Sequence, residues 1–215
     1  MSMPGLLVDV QRRLESLYAL EPEAPVTDFL LSDETAAAGY PGAGSRTLIS
    51  HDADGVSMGV VLDARVGARL SALDPREKLD GRNLDPFCAA IEEVSHFVYL
   101  SFCARAERTV TELELELQAE VDKYLCAAFL LSLQNEGAVS SRLKDLLFRE
   151  YRIADGVSGE RAERYRAASH LAYRYCGWLE RDFLRRSRLE DLARESRRFY
   201  RLGQREKLEK IAELE

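Results

Sequence analysis

Residues 91–102 read IEEVSHFVYLSF, and beyond Val94 the only strongly polar residues are Ser95, His96 and Ser101. A helix that is apolar on nearly every face has no good surface position and belongs at the centre of a bundle. This segment sets the fold class as mainly α, with His96 carried inside. The signals around it agree. Asp85 is placed to cap this helix, with Pro86 at its first position, and the pattern runs to about Ala106. Thr109 or Thr111 caps the next helix, which continues to about Gln134 and stops at Asn135-Glu136-Gly137. Residues 140–151 predict a shorter helix. Ser158 opens another, through about Arg186. Residues 188–215 hold one or two more, with Gly203 as the point of a break. At the other end, Leu6, Val10, Leu14 and Leu17 recur at helical spacing, between Pro4-Gly5 and Pro22. The expectation is a bundle of five or six helices.

The exception to helix is near the N-terminus. Residues 47–50 and 56–62 flank His51-Asp52-Ala53-Asp54-Gly55, and Asp-Gly between two β-branched runs predicts a hairpin. Val56, Met58, Val60 and Leu62 share one face of its second strand. A lone hairpin is marginal in water, so it must pack on the helices. His51, at the turn, is expected to be exposed. Residues 21–46 are rich in Pro, Gly, Ala and Ser and read as irregular, with one short strand or helical turn at 26–31. The domain reading is one helical domain over 1–187, with the hairpin at about 47–62, and a basic helical appendage over 188–215.

Composition excludes several classes. With 46% apolar and 31% charged residues in 215, the chain is neither collagen-like nor disordered. The longest nearly apolar run, residues 126–133 with one serine, is far short of the ~20 residues needed to cross a bilayer. Asp9 interrupts the opening residues, which also lack a basic cluster, so no signal peptide is read and a cytoplasmic location is expected. None of Cys88, Cys103, Cys126 and Cys176 forms a CxxC pair, and all four read as small buried hydrophobes of a reducing compartment. The net charge of −7 is unevenly spread. Residues 138–215 hold 19 basic and 14 acidic side chains, and 16 of those 19 are arginine, whereas the two preceding stretches, 1–80 and 81–137, are each net −6.

Two constellations point to chemistry. Glu93 and His96 are three apart on one helical face, a Glu-x-x-His unit of the kind that di-iron carboxylate bundles use twice. The next helix offers Glu116 and Glu120, with Glu120 beside the stripe Leu113, Leu117, Val121, Tyr124. Glu93, His96, Glu116 and Glu120 are therefore candidate ligands for a divalent metal. No second Glu-x-x-His exists, so a site would hold one ion. The other reading is a hydrogen-bonded His–Glu pair tying two helices together. Otherwise no cofactor is expected. The second constellation is Arg164 to His170 in RYRAASH. It resembles the Arg-x(4–6)-His signature of the HEPN ribonucleases, although Tyr165 replaces the usual polar residue after the Arg. The resemblance implies phosphate binding by Arg164 and proton transfer by His170 at a dimer interface.

Arg194, Arg197, Arg198, Arg201 and Arg205 form a helical stripe with Phe199 and Tyr200 interleaved. Such a stripe fits a partner protein with an acidic surface, or a second copy of the chain. Nucleic acid fits less well, because the acidic remainder repels a polyanion. The acidic ladder Glu112, Glu114, Glu116, Glu120, Asp122 begins as a helix-dipole match. No Gly-rich phosphate loop, zinc-finger spacing or nucleophile elbow is present. The leading expectation is a non-enzymatic protein–protein interaction or regulatory module acting through the basic C-terminal face. The alternative is an enzyme, either metal-dependent around His96 or a ribonuclease around His170.

Overall fold

The structure, a computed structural model, describes residues 3–32, 44–52, 55–149 and 159–214, without the side chains of residues 51, 52, 55 and 56. Helix α1 (Met3–Tyr18) is followed by a 3-10 turn (Val26–Phe29) and by strands β1 (Arg46–Asp52) and β2 (Gly55–Val61). Then come α2 (Ala64–Ala72), α3 (Leu84–Arg105), α4 (Glu112–Gln134), α5 (Leu143–Phe148), α6 (Gly159–Asp182), α7 (Leu189–Arg201) and α8 (Gln204–Ala212). The molecule is mainly α with one small N-terminal hairpin, as the sequence predicts, but the described residues form eight helices rather than five or six, because residues 64–72 make a short helix of their own and the C-terminal segment divides at Gly203.

The hairpin is antiparallel, with Thr47 opposite Val60 and Asp52 opposite Gly55. Turn residues Ala53 and Asp54, and the exposure expected of the His51 side chain, lie outside the described residues. The region of residues 26–31 takes both predicted forms at once: a 3-10 turn, then a parallel bridge from Leu30 to Val60. Gly59 makes room for this, since a Cβ there would come within 2.4 Å of Leu31 Cδ1.

Helix α3 begins at Leu84, not after Asp85. Asn83 flanks it but does not cap it through its side chain. That side chain instead donates to the carbonyls of Leu73 and Lys78 and accepts from the Asp80 amide, so it ties down the preceding loop. Thr111 caps α4, accepting from the Glu114 amide at 3.2 Å. Gly137, at φ +88°, ends α4 by sending its N–H to the Ser132 carbonyl. The helix predicted over 140–151 is shorter: Ser140 Oγ accepts from the Leu143 amide, and α5 ends at Phe148.

Helix α3 is long and apolar enough to cross a membrane by length and composition, although 78% of its apolar window is buried inside the bundle. It packs on α4, which packs in turn on α6. Helix α1 lies across α3 and α7, and both strands rest on α3. All four cysteines are free and buried. One hydrophobic cluster runs through the bundle and includes Leu192, Phe199, Tyr200 and Ile211 from the C-terminal segment. Tyr200 stacks on Tyr18 of α1 and Phe199 on Tyr175 of α6, each with ring centroids 3.9 Å apart. The chain breaks between α7 and α8, where Gly203 is the N-cap of α8.

Candidate functional site

The centre of the α3–α4 contact is polar. His96, buried as expected, faces two carboxylates: its Nδ1 lies 3.9 Å from Glu93 Oε2 and its Nε2 lies 3.7 Å from Glu116 Oε2. Both separations are ion-pair distances, too long for hydrogen bonds. Nε2 has no hydrogen-bond partner. Glu93 is held from the other side, where Thr47 Oγ1 of β1 donates to its Oε2 at 2.8 Å. The hairpin thus completes the site, because its first strand supplies the hydroxyl that fixes Glu93 behind the imidazole.

The ligand geometry differs from the set read in the sequence. Donor atoms of Glu92, His96 and Glu116 all lie within 4.8 Å of one another. Glu93 stands behind the ring, and Glu120 turns to Lys123. Lys123 Nζ donates to Glu120 at 2.8 Å and to Glu92 at 2.9 Å. Glu92 and Lys123 are the members that the sequence reading missed. Glu92 is four residues before His96 and so as much a helical neighbour as Glu93. Lys123, three residues after Glu120, is the cation that a run of acidic residues entering a core requires.

Four carboxylates thus face one lysine and one imidazole. Burial alone would pull the His96 pKa down, but Glu116, Glu93 and Glu92 outweigh it and push it up to about 9. Burial pushes Glu93 up to about 7. Glu120 is also raised by burial, whereas Lys123 overcomes burial at Glu92 and holds it below the usual carboxylate range. The first turns of α6 bring up Arg161 and Tyr165, which are hydrogen-bonded to each other at 3.3 Å. Burial, together with the nearby Glu116 and Glu92, raises the Tyr165 hydroxyl to about 12.

A second buried polar network lies further along the same helices. Lys207 of α8 is fully buried and donates to Tyr99 Oη at 2.9 Å and Gln118 Oε1 at 2.8 Å, with Nζ 4.5 Å from the Tyr99 ring centroid. Asp122 accepts from Tyr18, from Ser95 at 2.6 Å and from Gln118 at 2.9 Å. Glu114 takes Tyr99 Oη at 2.5 Å, Arg108 at 2.8 Å and the Gln204 amide at 3.1 Å. Glu114 and Arg108 form an ion pair, Lys207 rests on neutral oxygens, and the network locks α8 to α3 and α4.

The remaining predicted residues are dispersed. Arg164 pairs with Glu112 at 2.6 Å, while His170 is exposed on the same unbroken helix. Six residues of α-helix turn the chain so that the two side chains point about 120° apart. They do not converge within one chain. In the arginine stripe, Arg194 pairs with Asp191 and Arg205 with Glu209. Arg197 donates to the Leu17 carbonyl at 2.8 Å and Arg201 to the Tyr18 carbonyl at 3.1 Å, so both cap the C-terminus of α1. Arg198 is exposed and has no partner among the described residues. Comparisons with protein families, characterised proteins and solved structures return no match, so function is read from the geometry alone.

Proposed function

We propose that the protein is a metal-dependent bundle that holds one divalent transition ion on Glu92, His96 and Glu116. The observation that carries this reading is the buried Nε2 of His96, which has no hydrogen-bond partner and lies 3.7 Å from Glu116, in a cluster where donor atoms of Glu92, His96 and Glu116 are all within 4.8 Å of one another. Native interiors rarely leave such an atom unpaired. The acidic side chains alone would be a weak argument. One imidazole nitrogen grouped with two carboxylate oxygens is the donor set of a borderline cation such as Zn²⁺, Mn²⁺ or Fe²⁺. Metal-ligating histidines usually turn their other ring nitrogen to a carboxylate, and here Glu93, itself held by Thr47, lies 3.9 Å from Nδ1. The charge balance points the same way: with His96 neutral, four carboxylates exceed Lys123 by three charges, and a dication would offset two of them. Three protein ligands leave coordination positions for water or a small ligand, as Lewis-acid chemistry needs.

The test is an ion count on protein stripped with a chelator, reloaded and desalted. Wild type should hold about one ion per chain. His96→Ala and Glu116→Gln should hold almost none. Glu120→Gln, which touches Lys123 rather than the ion, should keep it. An equal count in wild type and His96→Ala would leave the cluster as a structural His–carboxylate contact.

A further inference from the structure

Away from the carboxylate cluster, a groove of about 820 Å³ is lined by residues of α1, the later turns of α4 and the link between α6 and α7. Leu17, Phe129, Val139 and Leu184 line it, together with Leu133 and Leu189, which are 72% and 55% exposed. Large apolar side chains bared beside a concave apolar surface mark a contact site rather than ordinary surface. A small molecule seated in the groove would touch these two leucines on their inward sides only, whereas an apolar ridge lying along the groove would cover more of their exposed surface.

Charge identifies the ridge. Arg12 and Arg13 of α1 line the same groove, both exposed and neither in an ion pair among the described residues. Asp9 is the single carboxylate in the lining among the described residues, and Arg76 already holds it at 2.6 Å. Arg186 and Arg188, within the link, pair with Asp182 at the end of α6 and Asp191 of α7. The free charge facing an occupant is therefore positive.

We infer that this groove receives an acidic amphipathic helix of another protein, with its apolar residues on Leu133 and Leu189 and its carboxylates on Arg12 and Arg13. A helix in a groove presents anchors at i, i+3 or i+4, and i+7. Guanidinium groups on the rim suit carboxylates, which they can grip with two hydrogen bonds. The contact does not depend on the metal centre.

The experiment is selection of binders from a randomised helical-peptide display library against the full chain. The expected winners are acidic, carry apolar residues at helical spacing, and bind less tightly as salt rises. Their affinity should fall at least about tenfold on Leu133→Asp, and likewise on the Arg12→Glu, Arg13→Glu double variant. Leu133, Arg12 and Arg13 are exposed, so circular dichroism should show both variants folded, and Ile49→Asp on the hairpin serves as the control that keeps binding. Neutral or basic winners, no winners, or winners indifferent to Leu133→Asp would overturn the inference. A dimer seen by light scattering that Leu133→Asp dissolves would overturn it in favour of a second copy of this chain.

Discussion

Nε2 of His96 lies 3.7 Å from Oε2 of Glu116, buried and without a hydrogen-bond partner. The opposite ring nitrogen faces Glu93, which accepts a hydrogen bond from Thr47. The imidazole thus sits between two carboxylates at ion-pair distance, of which Glu93 is itself held by Thr47, and the first prediction concerns that support. Thr47→Val and Glu93→Gln should each weaken metal affinity by about 10- to 100-fold while leaving the capacity near one ion per chain. Equilibrium dialysis at several metal concentrations separates affinity from capacity. Unchanged affinity in both variants would mean that Glu93 does not orient the ring.

Metal uptake should depend on pH in a definite direction. Without metal, burial disfavours the imidazolium of His96, but the surrounding carboxylates raise its pKa to about 9. Coordination needs the neutral ring, so binding must expel a proton below that pH. Affinity should rise with pH through neutrality and level off above about 9. Calorimetry in two buffers of different ionisation enthalpy should show about one proton or more released per ion at pH 7. No proton release would contradict this assignment of His96.

Lys207 supplies a prediction about stability. Burial pulls its pKa from 10.5 down to about 7. Between pH 7 and 10.5 the unfolded chain therefore binds a proton that the folded chain lacks, and stability gains with rising pH across that window. Below pH 7 the cost of holding the buried ammonium is present in full. Lys207→Met removes this slope. Its stability relative to wild type should be most favourable near pH 6 and decline by on the order of a few kcal/mol by pH 10. Urea melts of both proteins across this range provide the check, and parallel curves would refute it.

The arginine stripe makes a further, separate prediction. Arg201 spends both terminal nitrogens on the Tyr18 carbonyl, and Arg197 caps Leu17. Arg201→Ala should cost about 1–2 kcal/mol through uncapped carbonyls at the end of α1. In a domain of this size each kcal/mol lowers Tm by about 2–4 °C. Arg198→Ala, at an exposed position without a partner among the described residues, should change Tm by less than about 2 °C.

The sequence is legible where one segment determines its own surroundings. The all-round apolar character of residues 91–102 is enough to place α3 at the centre, and Asp-Gly is enough to indicate the hairpin. It is less legible where a neighbouring element decides. Glu92 and Glu93 are both helical neighbours of His96, and only the positions of β1 and Lys123 show that Thr47 holds Glu93 while Glu92 joins Glu116 and Lys123. Glu120 reads as a ligand until Lys123 takes it. Lys207 reads as an ordinary cation on a short terminal helix, because nothing in the local pattern announces the Tyr99 ring and Gln118 that receive it. Arg197 and Arg201 read as a binding stripe because their true acceptors, two backbone carbonyls, lie about 180 residues earlier.

The most direct test of the metal centre is a Co²⁺ titration of the stripped chain followed by visible absorption, since d–d bands report ligands bound directly to the ion. In wild type a band should grow to saturation at about one equivalent, and it should be lost in His96→Ala while circular dichroism shows that the variant is folded. A wild-type titration that develops no band, or a band of equal intensity in His96→Ala, would contradict the metal assignment.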